Sequence, residues 1–222
     1  MNEQNLLIPT KIIKSKRKSI SLIIKNNGDF IVRAPLNCEE KKIFNFIHNK
    51  KEWIIKKRIE QMSNSFKKLQ FNKDETINIL NKQYSIVLTD KTRVKINEDI
   101  IEVPKDNSKA KLISFLKAYA RKYFNDRAKL IAQLFNFSYS KITISSAKTC
   151  WGSCGGNNIL HFTYKLIMCP EDVVDYVVLH ELCHTKIKNH SKKFWLLVET
   201  CNPNYKNHEK WLKKYRGIID VI

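Results

Sequence analysis

The feature that most constrains this chain is a pair of histidines, His180 and His184, which stand four residues apart with Glu181 directly after the first. Residues with this spacing lie one turn above each other on the same face of a helix, so both imidazoles can reach one point. The preceding residues 173–179 are apolar almost all round, which predicts that this helix is buried. Because burying two histidines and a glutamate without partners is costly, the segment predicts a helix that carries a polar centre inside the fold.

A metal ion is the partner that this pattern favours. Two histidines on one helical turn are typical zinc ligands, and His190 follows six residues later, where the helix can end and the chain can turn back. We therefore interpret His180, His184 and His190 as three ligands of Zn²⁺, with the fourth position left to water. Glu181 projects to the same side, which predicts a zinc-bound water activated by Glu181 as the general base.

Short strands and one long helix are predicted for the first half of the chain. Alternating apolar residues predict strands at 18–25 and 30–34, joined by a turn at 26–29, and four short strands between 76 and 103. Apolar residues at helical spacing, from Ile43 to Ile59, predict one long amphipathic helix that starts after Asn37. The polar breaker 104–108 then divides the chain into an N-terminal strand–helix–strand portion, 1–106, and a catalytic portion, 107–222.

The second half is predicted to be mainly helical. The helix of the histidine motif begins at Pro170, because proline suits the first helical position and the acidic pair that follows suits the positive end of the helix dipole. Further helices are predicted at 109–134, 191–200 and 205–215, and strands at 141–146 and 158–164.

Composition excludes the membrane class and argues against secretion. A content of 43% hydrophobic and 28% charged residues is typical of globular proteins. No apolar run approaches the ~18 residues of a membrane span. The first residues lack a basic head followed by a long apolar stretch, so we expect no secretory signal. The six cysteines then predict reduced thiols in the cytoplasm.

The strongly basic balance leaves two interpretations open. The chain carries 41 Lys and Arg against 21 Asp and Glu, a net charge of +20, and most of its cations are Lys. Nucleic-acid readers rely more on Arg, which favours a solvated lysine-rich surface. Basic clusters nevertheless recur at 11–18, 50–58, 186–193 and 206–216. Since the third cluster flanks the proposed metal site, the surface could bind nucleic acid or a nucleotide.

The sequence also resembles the YgjP-like metallopeptidase family from about residue 13 to residue 217. The segments that carry the resemblance are Arg17 to Ile24, Val32 to Pro35, Trp151 to Cys154, Asn158 to Phe162, Pro170, Asp175 to His184, Asn189 to Ser191, and Phe194 with Trp195. The core spacing is similar, too, to that of WLM-type zinc proteases, which act on DNA–protein crosslinks. The resemblance implies an α+β fold with a zincin-like metallopeptidase core, in which the motif helix packs under a small sheet. It also implies zinc ligation by His180, His184 and His190, with Glu181 as the general base.

These observations predict a zinc-dependent metallohydrolase, and a metallopeptidase acting on a peptide or protein is the first interpretation. The alternative is a metal-dependent nucleotide (nucleoside triphosphate) pyrophosphatase, in which the lysine-rich rim would hold phosphate; such a role has been attached to YgjP-like proteins. A binding module that uses zinc only as a structural support is disfavoured, because Glu181 occupies the position of the base.

Other roles stay open at this point. A purely structural histidine cluster is the alternative to a metal site, and Glu199 or His208 would be the next candidates for a third ligand. The sequence does not single out a donor for the oxyanion; the candidates are His161, Tyr164, Tyr205 and His208. Cys150 and Cys154 suggest a second zinc site, against a turn in which Gly152 allows the bend. Cys183 is expected to be a small core residue.

Overall fold

The computed structural model describes residues 7–25, 29–63, 68–72 and 74–222. Within these ranges the chain forms six α-helices and three mixed β-sheets, which confirms the predicted α+β fold class. None of the described helices combines the length and the apolar character that a membrane span requires. The chain divides into two compact units, Met1–Lys67 and Lys68–Ile222.

The first unit contains a three-stranded sheet in the order β1-β3-β2. Strand β1 (Lys11–Ser15) is parallel to β3 (Phe30–Pro35), and β2 (Ser21–Ile24) is antiparallel to β3. Both strands that the alternating pattern predicts are therefore present and paired. The turn predicted between them falls mostly on residues 26–28, which lie outside the described residues.

Two helices pack against this sheet, where the sequence predicts one long helix. Helix α1 (Glu40–Asn49) follows Glu39 rather than Asn37, and α2 (Lys51–Ser63) begins after a break at Lys50, where φ is −111° and ψ is 12°. Neither glycine nor proline occurs at the break, so no local signal marks it. The buried core of this unit consists of Phe30, Val32, Ala34, Ile43, Ile47 and Ile54.

The second unit begins with a four-stranded sheet in the order β4-β5-β7-β6. All four strands are predicted by the sequence, and they are β4 (Thr76–Ile79), β5 (Lys82–Thr89), β6 (Lys95–Asn97) and β7 (Ile100–Pro104). Strand β5 runs parallel to β7, while β4 and β6 pair antiparallel with their neighbours.

Helix α3 (Ser108–Phe135) is the longest helix among the described residues. It begins after Asn107 and ends before Asn136, both of which adopt left-handed backbone angles that asparagine tolerates. Its buried face consists of Leu112, Leu116, Ala120, Phe124, Ala128, Ile131 and Ala132. Leu130 and Leu134 lie on the same helix but are 52% and 73% exposed, and small alanines complete the buried face.

The third sheet, in the order β8-β10-β9, carries the site region. Strand β10 (Ile159–Thr163) is parallel to β8 (Lys141–Ser145) and antiparallel to β9 (Gly152–Cys154). The sequence predicts β8 and β10 but reads the β9 segment as a turn. Helix α4 (Glu171–Lys186) packs against β9 and α3, and against the two helices that follow it, α5 (Lys192–Cys201) and α6 (Tyr205–Lys214).

The division predicted after residue 106 lies inside the second unit. Strand β7 and helix α3 flank this point and pack against each other, so the residues on both sides of it belong to the same compact unit. The separation into a portion 1–106 and a catalytic portion 107–222 stays a prediction about function.

Candidate metal centre

Helix α4 forms where the sequence predicts it, one residue after Pro170, with Glu171 and Asp172 in its first turn. Ten of its side chains are buried: Val173, Val174, Tyr176, Val177, Val178, Leu179, Glu181, Leu182, Cys183 and His184. A helix that is apolar on nearly every face can be stable only when it is enclosed by other elements. The motif therefore lies inside the fold.

Two polar contacts from α3 fix the position of α4. Arg127 forms a two-pronged ion pair with both carboxylate oxygens of Asp175. Tyr123 Oη donates a hydrogen bond of 2.9 Å to a carboxylate oxygen of Glu171. The paired geometry of guanidinium and carboxylate sets orientation as well as distance. The ion pair therefore fixes how α4 lies against α3 at Asp175, shortly before His180 in the same helix.

The Nε2 atoms of the three predicted histidines lie close together. His190 Nε2 lies 3.1 Å from His180 Nε2 and 3.2 Å from His184 Nε2. Two nitrogens bound to one tetrahedral zinc ion at roughly 2.0–2.1 Å would lie about 3.3 Å apart. Among the described residues, His180, His184 and His190 are the group of three ligand-bearing side chains whose ligand atoms approach within 4.8 Å, and this cluster could bind a metal ion.

Hydrogen bonds on the opposite ring nitrogens orient two of these imidazoles. The Ile187 carbonyl oxygen lies 2.9 Å from His184 Nδ1, and because a carbonyl only accepts, the proton is assigned to Nδ1. Tyr176 Oη lies 3.5 Å from His180 Nδ1, and its hydroxyl group can accept a hydrogen bond from this nitrogen or donate one to it. The assignment for His184 leaves its Nε2 lone pair free for an ion, and His180 has a free Nε2 lone pair in the tautomer that donates from Nδ1 to Tyr176.

Burial favours the uncharged form of His180 and His184. Burial, together with His184 and His190, lowers the pKa of His180 to about 3. Burial also lowers the pKa of His184, although the hydrogen bond to Ile187 opposes this effect. Since only a neutral imidazole can donate its lone pair, the environment favours the form that binds a metal.

His190 reaches the other two histidines because α4 ends at Lys186 and the chain turns back, as the spacing predicts. Lys188 anchors this loop to the turn between β9 and β10. Its ammonium lies 2.6 Å from Asn158 Oδ1, 3.1 Å from the Gly155 carbonyl oxygen and 3.4 Å from Cys154 Sγ. Lys188 is therefore a structural contact of the loop, a role that its place in a run of lysines does not reveal.

Aromatic rings from α5 support the cluster. The Phe194 ring stacks on His184 at 4.3 Å between centroids, with 19° between the ring planes. Trp195 lies 5.5 Å from His190 and 5.8 Å from His180. These rings restrict the orientation of all three imidazoles.

Glu181 lies beside the cluster and is 6% exposed. Burial raises the pKa of its carboxyl group to about 8. A nearby dication would act in the opposite direction and favour the carboxylate. The site thus places one carboxyl group, of a basicity suited to accepting a proton near neutral pH, next to the histidine cluster.

A cleft of about 310 Å³ opens in front of His180 and Glu181. Its other walls come from the β9 region, α4 and α6, and they are formed by Thr149, Cys150, Trp151, Gly152, Tyr176, Val177, Glu209, Leu212, Lys213 and Arg216. The cleft therefore connects solvent to the two motif residues that face it.

The four side chains predicted as candidate oxyanion donors do not line this cleft. His161 is hydrogen-bonded to Thr143, Tyr164 is buried, Tyr205 stacks on Trp195, and His208 lies 3.4 Å from Asp172. Tyr176 lines the cleft instead, one turn before His180. A search for residues at i−4 from a motif histidine would have identified it.

The alternative ligands and the cysteines lie outside the histidine cluster. Glu199 pairs with Lys206 at 3.6 Å. Cys150 is exposed, and Cys154 contacts Lys188, so the described residues give no group that could form the second zinc site. Cys183 is fully buried, as expected for a core residue.

A comparison with family models agrees with this geometry. The model described as "YgjP-like, metallopeptidase domain" matches residues 18–215 of the chain. No curated protein and no solved structure matched the chain.

Proposed function

Since it belongs to the YgjP-like metallopeptidase family, we propose that this chain is a zinc-dependent peptidase in which Glu181 is the general base and His180, His184 and His190 are the metal ligands. The observation that carries the proposal is the convergence of three Nε2 atoms next to a buried carboxylate at the end of one cleft. When bound, zinc would lower the pKa of a water molecule and polarise the scissile carbonyl group.

The residues of the chain supply the proton transfers. Glu181 accepts a proton from the attacking water at its carboxylate and then donates it to the nitrogen of the leaving amine. Its low exposure excludes bulk water from the carboxylate, which strengthens its interaction with the reacting groups. Tyr176 and Ile187 hold His180 and His184 in the orientation that presents Nε2 to the ion.

The cleft favours a peptide with an apolar side chain near the site. Trp151, Val177 and Leu212 provide apolar walls next to Glu181. Such surfaces bind side chains by removing apolar area from water. A peptide or protein substrate therefore remains the first interpretation.

The second candidate is hydrolysis of a nucleoside triphosphate between its phosphates. Lys213 and Arg216 line the same cleft, and both could contact phosphate oxygens. Glu209 also lines the cleft, and its carboxylate would repel the phosphate oxygens. The predicted nucleic-acid or nucleotide partner and the predicted cytoplasmic location stay predictions.

Metal analysis combined with two assays tests the proposal. Protein purified without chelator should contain about one zinc per chain, as three histidines and one open position require. It should hydrolyse an unfolded casein-like protein and leave nucleoside triphosphates intact, and a chelator should abolish the activity. Release of pyrophosphate without peptide hydrolysis would favour the second candidate, and failure to take up any metal would contradict both.

A further inference from the structure

Gly152 lies in strand β9, directly against the side chain of Glu181. A Cβ atom at this position would lie 2.9 Å from Glu181 Cγ and 3.0 Å from Glu181 Oε1. It would also lie 3.1 Å from Cδ1 of Phe162, the residue paired with Gly152 on β10. Real Cβ atoms essentially never approach other atoms more closely than 3.0 Å. Glu181 therefore occupies the space that any other residue would need for its side chain.

The backbone does not explain the glycine. Gly152 is not in the left-handed region of backbone angles, so an L-amino acid could adopt its conformation. It belongs to a regular antiparallel pair with β10, and its neighbour Ser153 has a side chain and an exposed position. Glycine is thus needed at position 152 because there is no room for a side chain, and not because the backbone requires its flexibility.

A side chain at position 152 would displace Glu181 rather than its other neighbours. Phe162 is fully buried against Phe124, at 5.1 Å between ring centroids, and the β9 backbone is held by its pairing with β10. The Glu181 side chain can rotate, and rotation of its Cγ and carboxylate relieves both of the closest contacts. The carboxylate would then leave its position beside His180 in the cleft.

We propose that Gly152 is a positioning residue, whose missing side chain leaves the space in which the Glu181 carboxylate is held beside the histidine cluster. The role rests on the proposed function, since it matters for catalysis only if Glu181 transfers a proton there. A displacement of about 1 Å in a reacting group lowers turnover by about 100-fold. Because the three atoms nearest to the added Cβ belong to Glu181 and Phe162, and none of them to a histidine, we expect metal binding to be retained.

The first test is the Gly152→Ala variant, compared with Gly156→Ala. An added Cβ at Gly156 would meet no atom within 4 Å, so this control introduces the same methyl group without a contact. For Gly152→Ala we expect a kcat about 100-fold below wild type, with KM changed less than about twofold and zinc still near one per chain. Gly156→Ala should retain wild-type kcat. A Gly152→Ala variant with wild-type kcat would overturn the proposal, and so would a loss of kcat that is fully explained by lost zinc.

The second test measures the contact without relying on activity. In metal-free protein, Gly152→Ala should lower the Tm by about 3–10 °C, because Glu181 can make room for the added methyl group only by giving up its native rotamer and packing. In a Glu181→Ala background, where Cγ and the carboxylate are absent, the loss should be less than half as large. Equal losses in the two backgrounds would show that the contact is not with Glu181 and would overturn the proposal. If the wild type hydrolyses no peptide, the proposed function fails, while this difference in Tm still decides whether Gly152 and Glu181 compete for the same space.

Discussion

Glu181 and His190 have different proposed roles, so their replacement should produce different defects. Glu181 faces the cleft and has no need to contact the ion, whereas His190 completes the cluster of Nε2 atoms. A base can be removed without loss of metal, but a ligand cannot. The two residues therefore allow the chemical role to be separated from the binding role.

Replacing Glu181 by Gln should give a metal-loaded but inactive protein. Glutamine keeps the size and polarity of the side chain but cannot accept the proton, so kcat should fall by about 10²–10⁴-fold. Zinc content and Tm should stay close to wild type, as measured by elemental analysis and calorimetry. The matched control is Glu199→Gln, because Glu199 pairs with Lys206 on the surface. Full activity of Glu181→Gln would show that Glu181 is not the base.

Replacing His190 by Ala should instead give a metal-poor and less stable protein. The variant lacks one of the three proposed protein ligands. Loss of a ligand's hydrogen-bond partner alone costs about 10–100-fold in affinity, so we expect a larger loss here. Zinc affinity would be measured by competition with a chelator, and Tm with and without added zinc. His48→Ala is the control, because His48 is exposed on α1 and is not part of the cluster. Unchanged affinity in His190→Ala would mean that the third ligand lies elsewhere.

Among the secondary-structure elements, the loop between α4 and α5 and strand β9 contribute most to the site. The loop carries His190, and β9 carries Gly152 and begins the turn that Lys188 contacts. Neither element has a hydrophobic pattern that predicts it. The position of β9 follows from its pairing with β10 and its packing against α4, and the loop is held by the contacts of Lys188 with the distant residues Cys154, Gly155 and Asn158.

Lys188→Met should weaken zinc binding although Lys188 is not a ligand. If only electrostatics mattered, removing a positive charge near a dication would strengthen zinc binding. A weaker zinc affinity would therefore have to come from the loss of the contacts that Lys188 makes. The three contacts of the ammonium hold the loop that carries His190, and their loss should lower affinity by about tenfold. Chelator competition would measure this change.

The control for this loop is Lys193→Met, which removes the same charge from an exposed position on α5. Its zinc affinity should equal or exceed that of wild type. Lys188→Arg keeps a donor at the turn and should recover part of the affinity. An increase in affinity for Lys188→Met would show that the charge matters and the contacts do not.

Binding of polyanions by the positively charged surface can be measured separately from catalysis. Of the lysines flanking the site, Lys188 contacts the β9–β10 turn and the Lys186 ammonium lies 4.5 Å from the Phe137 ring centroid. Lys192 and Lys193 are exposed at the start of α5. These two are therefore the better probes of a surface that binds polyanions.

If the net charge of +20 serves binding, single-stranded DNA should bind with a steep dependence on salt. Replacing Lys192 and Lys193 by Glu should reduce the slope of log K against log salt by about one to two. Replacing Lys41 and Lys95 by Glu changes the net charge equally and serves as the control, because both are exposed and lie outside the four basic clusters. Equal effects of both pairs, or weak binding that no variant changes, would favour the solvated lysine-rich surface.

The sequence by itself determined the elements whose signals are local. Helix α4 begins after Pro170 and carries two histidines one turn apart because capping and helical spacing depend only on neighbouring residues. The alternation of apolar residues likewise predicted β2 to β8 and β10 within a few residues. The same local logic predicted that the chain would turn back after α4 and bring His190 to the other two histidines.

Only the tertiary structure decided which surfaces these elements share. Strand β9 forms because β10 and α4 are available to pair and pack with it, and the break at Lys50 has no counterpart in the local sequence. The role of Gly152 depends on Glu181, and that of Lys188 on Asn158, both of which are distant along the chain. The role of Tyr176 depends on His180, one turn later in the same helix. The exposure of Leu130 and Leu134 has the same origin. A residue's neighbours in sequence fix its conformation, but the packing of whole elements fixes what its side chain touches.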